Sequence, residues 1–175
     1  IVGNLLLRDP KVARGAVLHE PPLFWVSPEY IPAVDEIGRR IGEGIAAGGP
    51  AAALDRFFEF ALGKRGFESI PPEDYKRLRE GADTFFSIEL PHIGWEPKPA
   101  DLKKVKVPSI ALAGVEDPKA LGRAYLIGSS KWIADAIGAP YRDVVGGHAP
   151  YFSDPKEFSE ELRKIFHDWL KAEKH

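Results

Sequence analysis

Three residues in this chain combine proton chemistry with a position just beyond a short apolar run. His148 sits at the tip of Val144-Val145-Gly146-Gly147-His148-Ala149-Pro150-Tyr151. There a strand end gives way to a glycine turn, and Asp154-Pro155 then reads as the cap and first position of a helix. An imidazole on such a loop is well placed for general-base work, although a plain turn histidine is the commoner reading of this stretch alone. Asp117 closes Ser109-Ile110-Ala111-Leu112-Ala113-Gly114-Val115-Glu116-Asp117. A carboxylate there can bond the imidazole, fix its tautomer and stabilise its protonated form. The same aspartate, standing before Pro118, can cap the next helix, and the two roles coexist. Glu20 closes Gly15-Ala16-Val17-Leu18-His19-Glu20 and is the alternative acid. Its competing role is a carboxylate held by backbone amides at a turn.

The nucleophile is the gap in this set. None of Ser27, Ser69, Ser87, Ser109, Ser129, Ser130, Ser153 and Ser159 lies in Gly-x-Ser-x-Gly, and cysteine is absent. Ser129-Ser130 follow Gly128 inside a helical pattern, and Ser109 begins a strand. His19 reads as a packing or locally bonded residue, and His92 and His167 as surface residues. The histidines lack metal-ligand spacing, so no metal and no cofactor are expected.

The elements that must position these groups follow from apolar spacing and from proline and glycine. Residues 1–8 carry a helical face ended by Asp9-Pro10. Gly15 to Leu18 reads as a buried strand stopped by Pro21-Pro22. From Ser27 to about Gly94 the texture is helical: Pro32 to Ile45, then a helix opened by Pro50 and capped by Gly63, then Pro71 to Leu78, then Ala82 to Leu90. Strands at 109–114 and 141–145 bracket a helix from Lys119 to Ile137, and Phe158, Leu162, Ile165, Phe166 and Trp169 line a final helix. Alternation of this kind predicts an α/β protein with about three parallel strands. Its pieces are 1–26 (core), 27–95 (an all-helical insert) and 96–175 (core with the acid and histidine loops). In open α/β sheets ligands bind at the carboxyl ends of strands, the end where Glu20, Asp117 and His148 all fall.

A chain of 175 residues with 44% apolar content has enough for one core. The net charge of −2 argues against a nucleic-acid partner or an acidic membrane surface. No apolar run is long enough to span a bilayer, and no signal-peptide pattern opens the sequence. With cysteine absent, a cytoplasmic location is expected. Methionine is also absent and the first residue is Ile1, which reads as a fragment or a processed or engineered product.

Taken together, these blocks resemble the C-terminal half of an α/β-hydrolase with a helical lid. The likeness rests on Gly15-Ala16-Val17-Leu18-His19-Glu20-Pro21-Pro22, Ala113-Gly114-Val115-Glu116-Asp117, Gly146-Gly147-His148-Ala149-Pro150-Tyr151 and Asp154-Pro155-Lys156-Glu157-Phe158, in family order. The resemblance implies a serine, acid, histidine order. His148 would be the base, Asp117 the acid, and Glu20 the acid in members that place it one strand earlier. It also implies that the serine elbow, the main oxyanion donors and the first strands lie outside this chain, just before Ile1. The implied substrate is a small apolar ester or related acyl compound. Phe24, Trp25, Phe57, Phe85, Phe86 and Trp95 could line its pocket under the lid, though any one of them is more commonly core. The strand at 15–18 would then have an open edge, which recruits either a complementary N-terminal half or a second copy in a homo-oligomer. Two other readings stand beside this one: a non-catalytic half-domain that self-associates or binds an apolar ligand, and a cofactor-free member with other chemistry.

Overall fold

Proline and glycine cut the chain into the segments that apolar spacing then folds, and the computed structural model describes residues 2–9, 11–92, 96–117 and 121–172 of them. The architecture is mixed α/β, with three parallel strands in the order β1-β2-β3. β1 is Ala16–His19, β2 is Ser109–Gly114 and β3 is Tyr141–Val144. Ala16 aligns with Ser109, and Ala111 with Tyr141. The helices are α1 (Val2–Arg8), α2 (Ile31–Glu68), α3 (Pro72–Glu80), α4 (Ala82–Thr84), α5 (Pro99–Leu102), α6 (Leu121–Ile137), α7 (Pro150–Ser153) and α8 (Pro155–Ala172).

β2 is buried along its whole length, which is why Ser109 to Gly114 reads as a continuous small and apolar run rather than an alternating one. Its two faces still divide the core. Ala111 packs with Leu18, Ile133 and Ala134 on the α6 side. Ile110 and Leu112 pack with Val144, Phe158 and Ile165 on the α8 side. Covering both faces with helices is what a parallel sheet requires.

The helical insert breaks where its glycines and proline were expected to break it: the backbone leaves helical geometry at Gly48-Gly49, before Pro50, and again at Gly63, where φ is 71°, and a further helical stretch follows to Glu68. Each bend redirects the axis where a proline ring or a left-handed glycine breaks the local hydrogen-bond ladder. Beyond α4 the turn at Phe85–Glu89 is wider than an α-helix, so the helix expected over 82–90 changes pitch within one turn. A short helix, α7, intervenes between His148 and α8.

β1 is an edge strand among the described elements. The amide of Ala16 bonds the carbonyl of Pro108, just before β2, and that of Glu20 bonds the carbonyl of Leu112 within it. By alternation, the amides of Val17 and His19 point away from β2.

Candidate functional site

Each strand delivers one component to the carboxyl edge of the sheet. The chain leaves β1 at Glu20, whose backbone takes a left-handed φ of 44°, and the two prolines that follow stop the strand. This turn drives the Glu20 side chain under the end of β2, where it is only 1% exposed. Buried charge is tolerated only when paired and hydrogen-bonded, and here every partner is present. The Gly114 amide donates to Oε1 at 2.7 Å. Both terminal nitrogens of Arg123, on α6, donate to the two carboxylate oxygens in a forked arrangement. Nδ1 of His148 lies 2.8 Å from Oε2.

Burial pushes the Glu20 pKa up, but hydrogen bonds from His148 and Arg123 outweigh it and hold the carboxyl at about 2. The group is therefore an anion at neutral pH and can only accept hydrogen bonds. It follows that Nδ1 of His148 carries the proton. In the neutral ring, Nε2 then keeps its lone pair, and it has no hydrogen-bond partner among the described residues. This is the tautomer a general base needs.

Gly114 is the junction that makes the arrangement fit. Its amide binds Glu20, its carbonyl accepts from Arg123 at 3.0 Å, and its Cα abuts the histidine loop. A Cβ there would enter the van der Waals shell of the Gly146 and Gly147 carbonyl oxygens. The Gly146 carbonyl accepts from the Glu116 amide at 3.0 Å, which zips the loop after β2 to the loop after β3. Gly146 itself has a φ of 81°, a conformation open to glycine at little cost, and so turns the chain to bring His148 back over Glu20.

The two acidic candidates thus end in different places. Glu20 contacts the imidazole. Asp117 does not: it is exposed, also in a left-handed conformation, and borders an open recess with Lys64, Arg65, Glu68, Ser69 and Glu116. Its relation to a helix beginning at Pro118 lies outside the described residues. The alternative role read for Glu20, a carboxylate gripped by a backbone amide, is also present in the Gly114 contact.

His19 lies beside this cluster. Its ring stacks at 6.4 Å from that of His148 and packs at 5.5 Å on Phe158. Both its nitrogens are shielded from solvent without a hydrogen-bond partner among the described residues, and burial lowers its pKa. It is a neutral, packed ring, as its place in the sequence implied. His167 is exposed on α8, 3.9 Å from Asp168. The described residues contain no cluster of acidic and histidine side chains suited to a metal ion.

Of the aromatic residues proposed as a pocket lining, Phe24, Phe57 and Phe85 share one apolar cluster, with Phe57 and Phe85 rings 5.4 Å apart. Phe24 stacks on Tyr125 at 4.7 Å and Trp25 meets Trp132 edge-on at 4.9 Å, so both engage α6. Phe57 is buried with Ile37 and Ala61 between the limbs of α2. Phe86 packs edge-on against Phe85. Phe85 borders a cavity of about 490 Å³ with Leu54, Phe58, Leu78 and Phe152. Trp95 lies outside the described residues. Phe152 ties this cavity to the site, because it follows His148 by four residues and packs in one cluster with Phe58, Leu62 and Ala149.

Ser129 and Ser130 are fully buried on α6 and donate to the carbonyls of Leu23 (3.2 Å) and Leu112 (3.0 Å). They brace the helix against the sheet and are closed to substrate. Sequence reasoning missed Arg123. The available signal was a charged residue in helical register with Leu126, Ser130 and Ile133, which together form a buried face.

No model of a known protein family and no curated protein matches the chain. No helix among the described residues is long and apolar enough to cross a membrane.

Proposed function

We propose that this chain is the acid- and base-bearing portion of a serine-type hydrolase of the α/β-hydrolase class, acting on a small apolar ester or related acyl substrate. His148 is the general base through Nε2, and Glu20, rather than Asp117, is its orienting acid. The nucleophilic serine is supplied by a segment outside this sequence. The observation that carries the reading is the 2.8 Å contact between Nδ1 of His148 and the buried Glu20 carboxylate, at the carboxyl edge of a parallel sheet. The cavity of about 490 Å³ beside Phe152 has the size of a small-ligand site, and its lining combines Leu54, Phe58, Leu78, Phe85 and Phe152 with the charged Asp74, Arg77 and Glu89.

The test restores the coding sequence immediately upstream of Ile1. A serine-directed phosphonate probe, read by intact mass, should leave the 175-residue chain unlabelled and label the extended one. Short-chain nitrophenyl esters should be hydrolysed by the extended chain, and His148→Gln should abolish turnover. An extended chain without a reactive serine, or one active with His148→Gln, would refute the proposal.

A second reading, a non-catalytic half-domain that associates through its sheet edge, is favoured by one feature. The outward amides of β1 lie at the sheet edge, and exposed Phe166 and Leu170 on α8 border a recess with Gly15, the residue before β1. Edges of that kind recruit strands. Sedimentation of the chain alone, with and without the upstream segment added in trans, separates self-association from capture of a complementary half.

A further inference from the structure

We propose that Arg123 is a positioning residue that tunes the proton affinity of His148: its guanidinium clamps Glu20 and offsets the carboxylate's charge, weakening the hold that Glu20 would otherwise exert on a proton at the imidazole. The inference builds on the assignment of His148 as a base. Its readout is the titration of the ring and not ester turnover, so either reading can fail without the other.

The geometry is that of a purpose-built clamp. Arg123 is 3% exposed and its partner carboxylate is fully enclosed. Its two terminal nitrogens take the two oxygens of Glu20, and the remaining bonds go to the carbonyls of Gly114 at 3.0 Å and Glu116 at 3.2 Å. The fork therefore fixes Glu20 against the ends of both β1 and β2. A lysine could supply the charge at this position but not the planar bidentate grip.

The electrostatic consequence follows from what else faces the imidazole. Glu20 is the anion in direct contact. From β1, His19 presents a ring made harder to protonate by burial. From the loop after β2, the Glu116 carboxylate lies near Gly147, and from the start of α8, Asp154 lies near Gly146. Both of those carboxylates are paired with Arg65 of α2. Arg123 is thus the cation that balances the one carboxylate touching the ring. An opposite charge at contact distance in a buried site favours the charged form of its neighbour by one to three pH units, roughly. Removing the balancing cation leaves that attraction unopposed.

The experiment is an NMR titration of the His148 ring, using imidazole carbon and nitrogen shifts, in the 175-residue chain and in Arg123→Gln, Arg123→Lys and Glu20→Gln. Arg123→Gln should raise the midpoint of His148 by about one pH unit. Arg123→Lys should bring most of it back, and Glu20→Gln should lower it below the starting value. A role limited to packing would alter stability while leaving the midpoint in place. Should Arg123→Gln fail to fold, Arg123→Met decides: a folded methionine variant with a raised His148 midpoint supports the proposal, and one whose midpoint matches the unmodified chain overturns it. A folded Arg123→Gln with an unmoved midpoint overturns it as well.

Discussion

Acid should unload the buried Glu20 carboxylate, and the stability lost can be worked from the site. An ordinary glutamate titrates near 4.5; burial pushes Glu20 up, but hydrogen bonds from His148 and Arg123 outweigh it and hold the carboxyl at about 2 in the folded chain. The folded pKa lies below the unfolded one. The associated stability is therefore fully present above the unfolded value and is lost as the pH falls toward the folded value. The full displacement corresponds to about 3 kcal/mol. Between about pH 6 and about pH 3, roughly 2 kcal/mol of it should disappear. Other carboxylates, Asp154 and Asp101 among them, also titrate low, so the assay is a difference. Urea unfolding is measured across this range for the chain and for Glu20→Gln, which has no carboxyl at this position. At neutral pH the glutamine variant should be less stable by about 3 kcal/mol, because it strands the Arg123 cation in a buried site. The gap between the two should narrow on acidification. Parallel pH profiles, or a neutral-pH difference under about 1 kcal/mol, would show that the network does not stabilise the carboxylate as argued.

Three further outcomes test other parts of the structure. Gly114→Ala should destabilise the chain by about 2 kcal/mol or more, since its Cβ would collide with backbone oxygens rather than with a movable side chain; thermal melts check this, and the His148 ring resonances should shift at the same time. Leu112→Ala, at a fully buried position of the central strand, should cost about 2–5 kcal/mol in urea unfolding with an unchanged slope. Arg65→Met should loosen the join between α2 and the two loops that hold Glu116 and Asp154. Proteolytic nicking near the Gly63 bend should accelerate, and added salt should produce part of the same effect in the unmodified chain.

The parts of the fold legible in the sequence were those dictated by continuous burial. β2 was readable to the residue because a strand covered on both faces has no polar alternation to blur its ends. The α8 face was readable because Phe158 and Ile165 recur at helical spacing and do enter the core. The breaks within α2 were legible, since Gly48-Gly49-Pro50 and Gly63 carry the chemistry of helix ends and the backbone leaves helical geometry there; the helical stretch beyond Gly63 to Glu68 was not. Capping residues report a break in the hydrogen-bond ladder, and packing decides whether the next residues continue it. The aromatic residues of the insert were legible as a packed cluster, but not which of them borders a cavity, because the spacing that lines a cavity also fills a core. Arg123 escaped because its partner is distant in sequence, and no local pattern encodes a pairing made by the sheet's own topology.

The choice between two carboxylates that both follow neighbouring strands turns on backbone bonds. After β2, the amides of Val115 and Glu116 bond the carbonyls of Val144 and Gly146. The chain therefore remains zipped to the exit from β3 for two residues beyond the strand. This carries Asp117 past the imidazole and out to the recess beside Lys64 and Arg65. After β1, no such continuation is possible, because Pro21 and Pro22 donate no hydrogen bonds. The left-handed turn at Glu20 comes at once, and the side chain drops beneath Gly114 while still within reach of His148. Replacing Pro21 and Pro22 together by alanine removes that constraint and lets the strand lengthen. Glu20 would then shift along the sheet edge, and the His148 titration should move toward that of Glu20→Gln with little loss of helix by circular dichroism. A titration unaffected by the double replacement would mean that Arg123 and Gly114 alone hold the carboxylate in place.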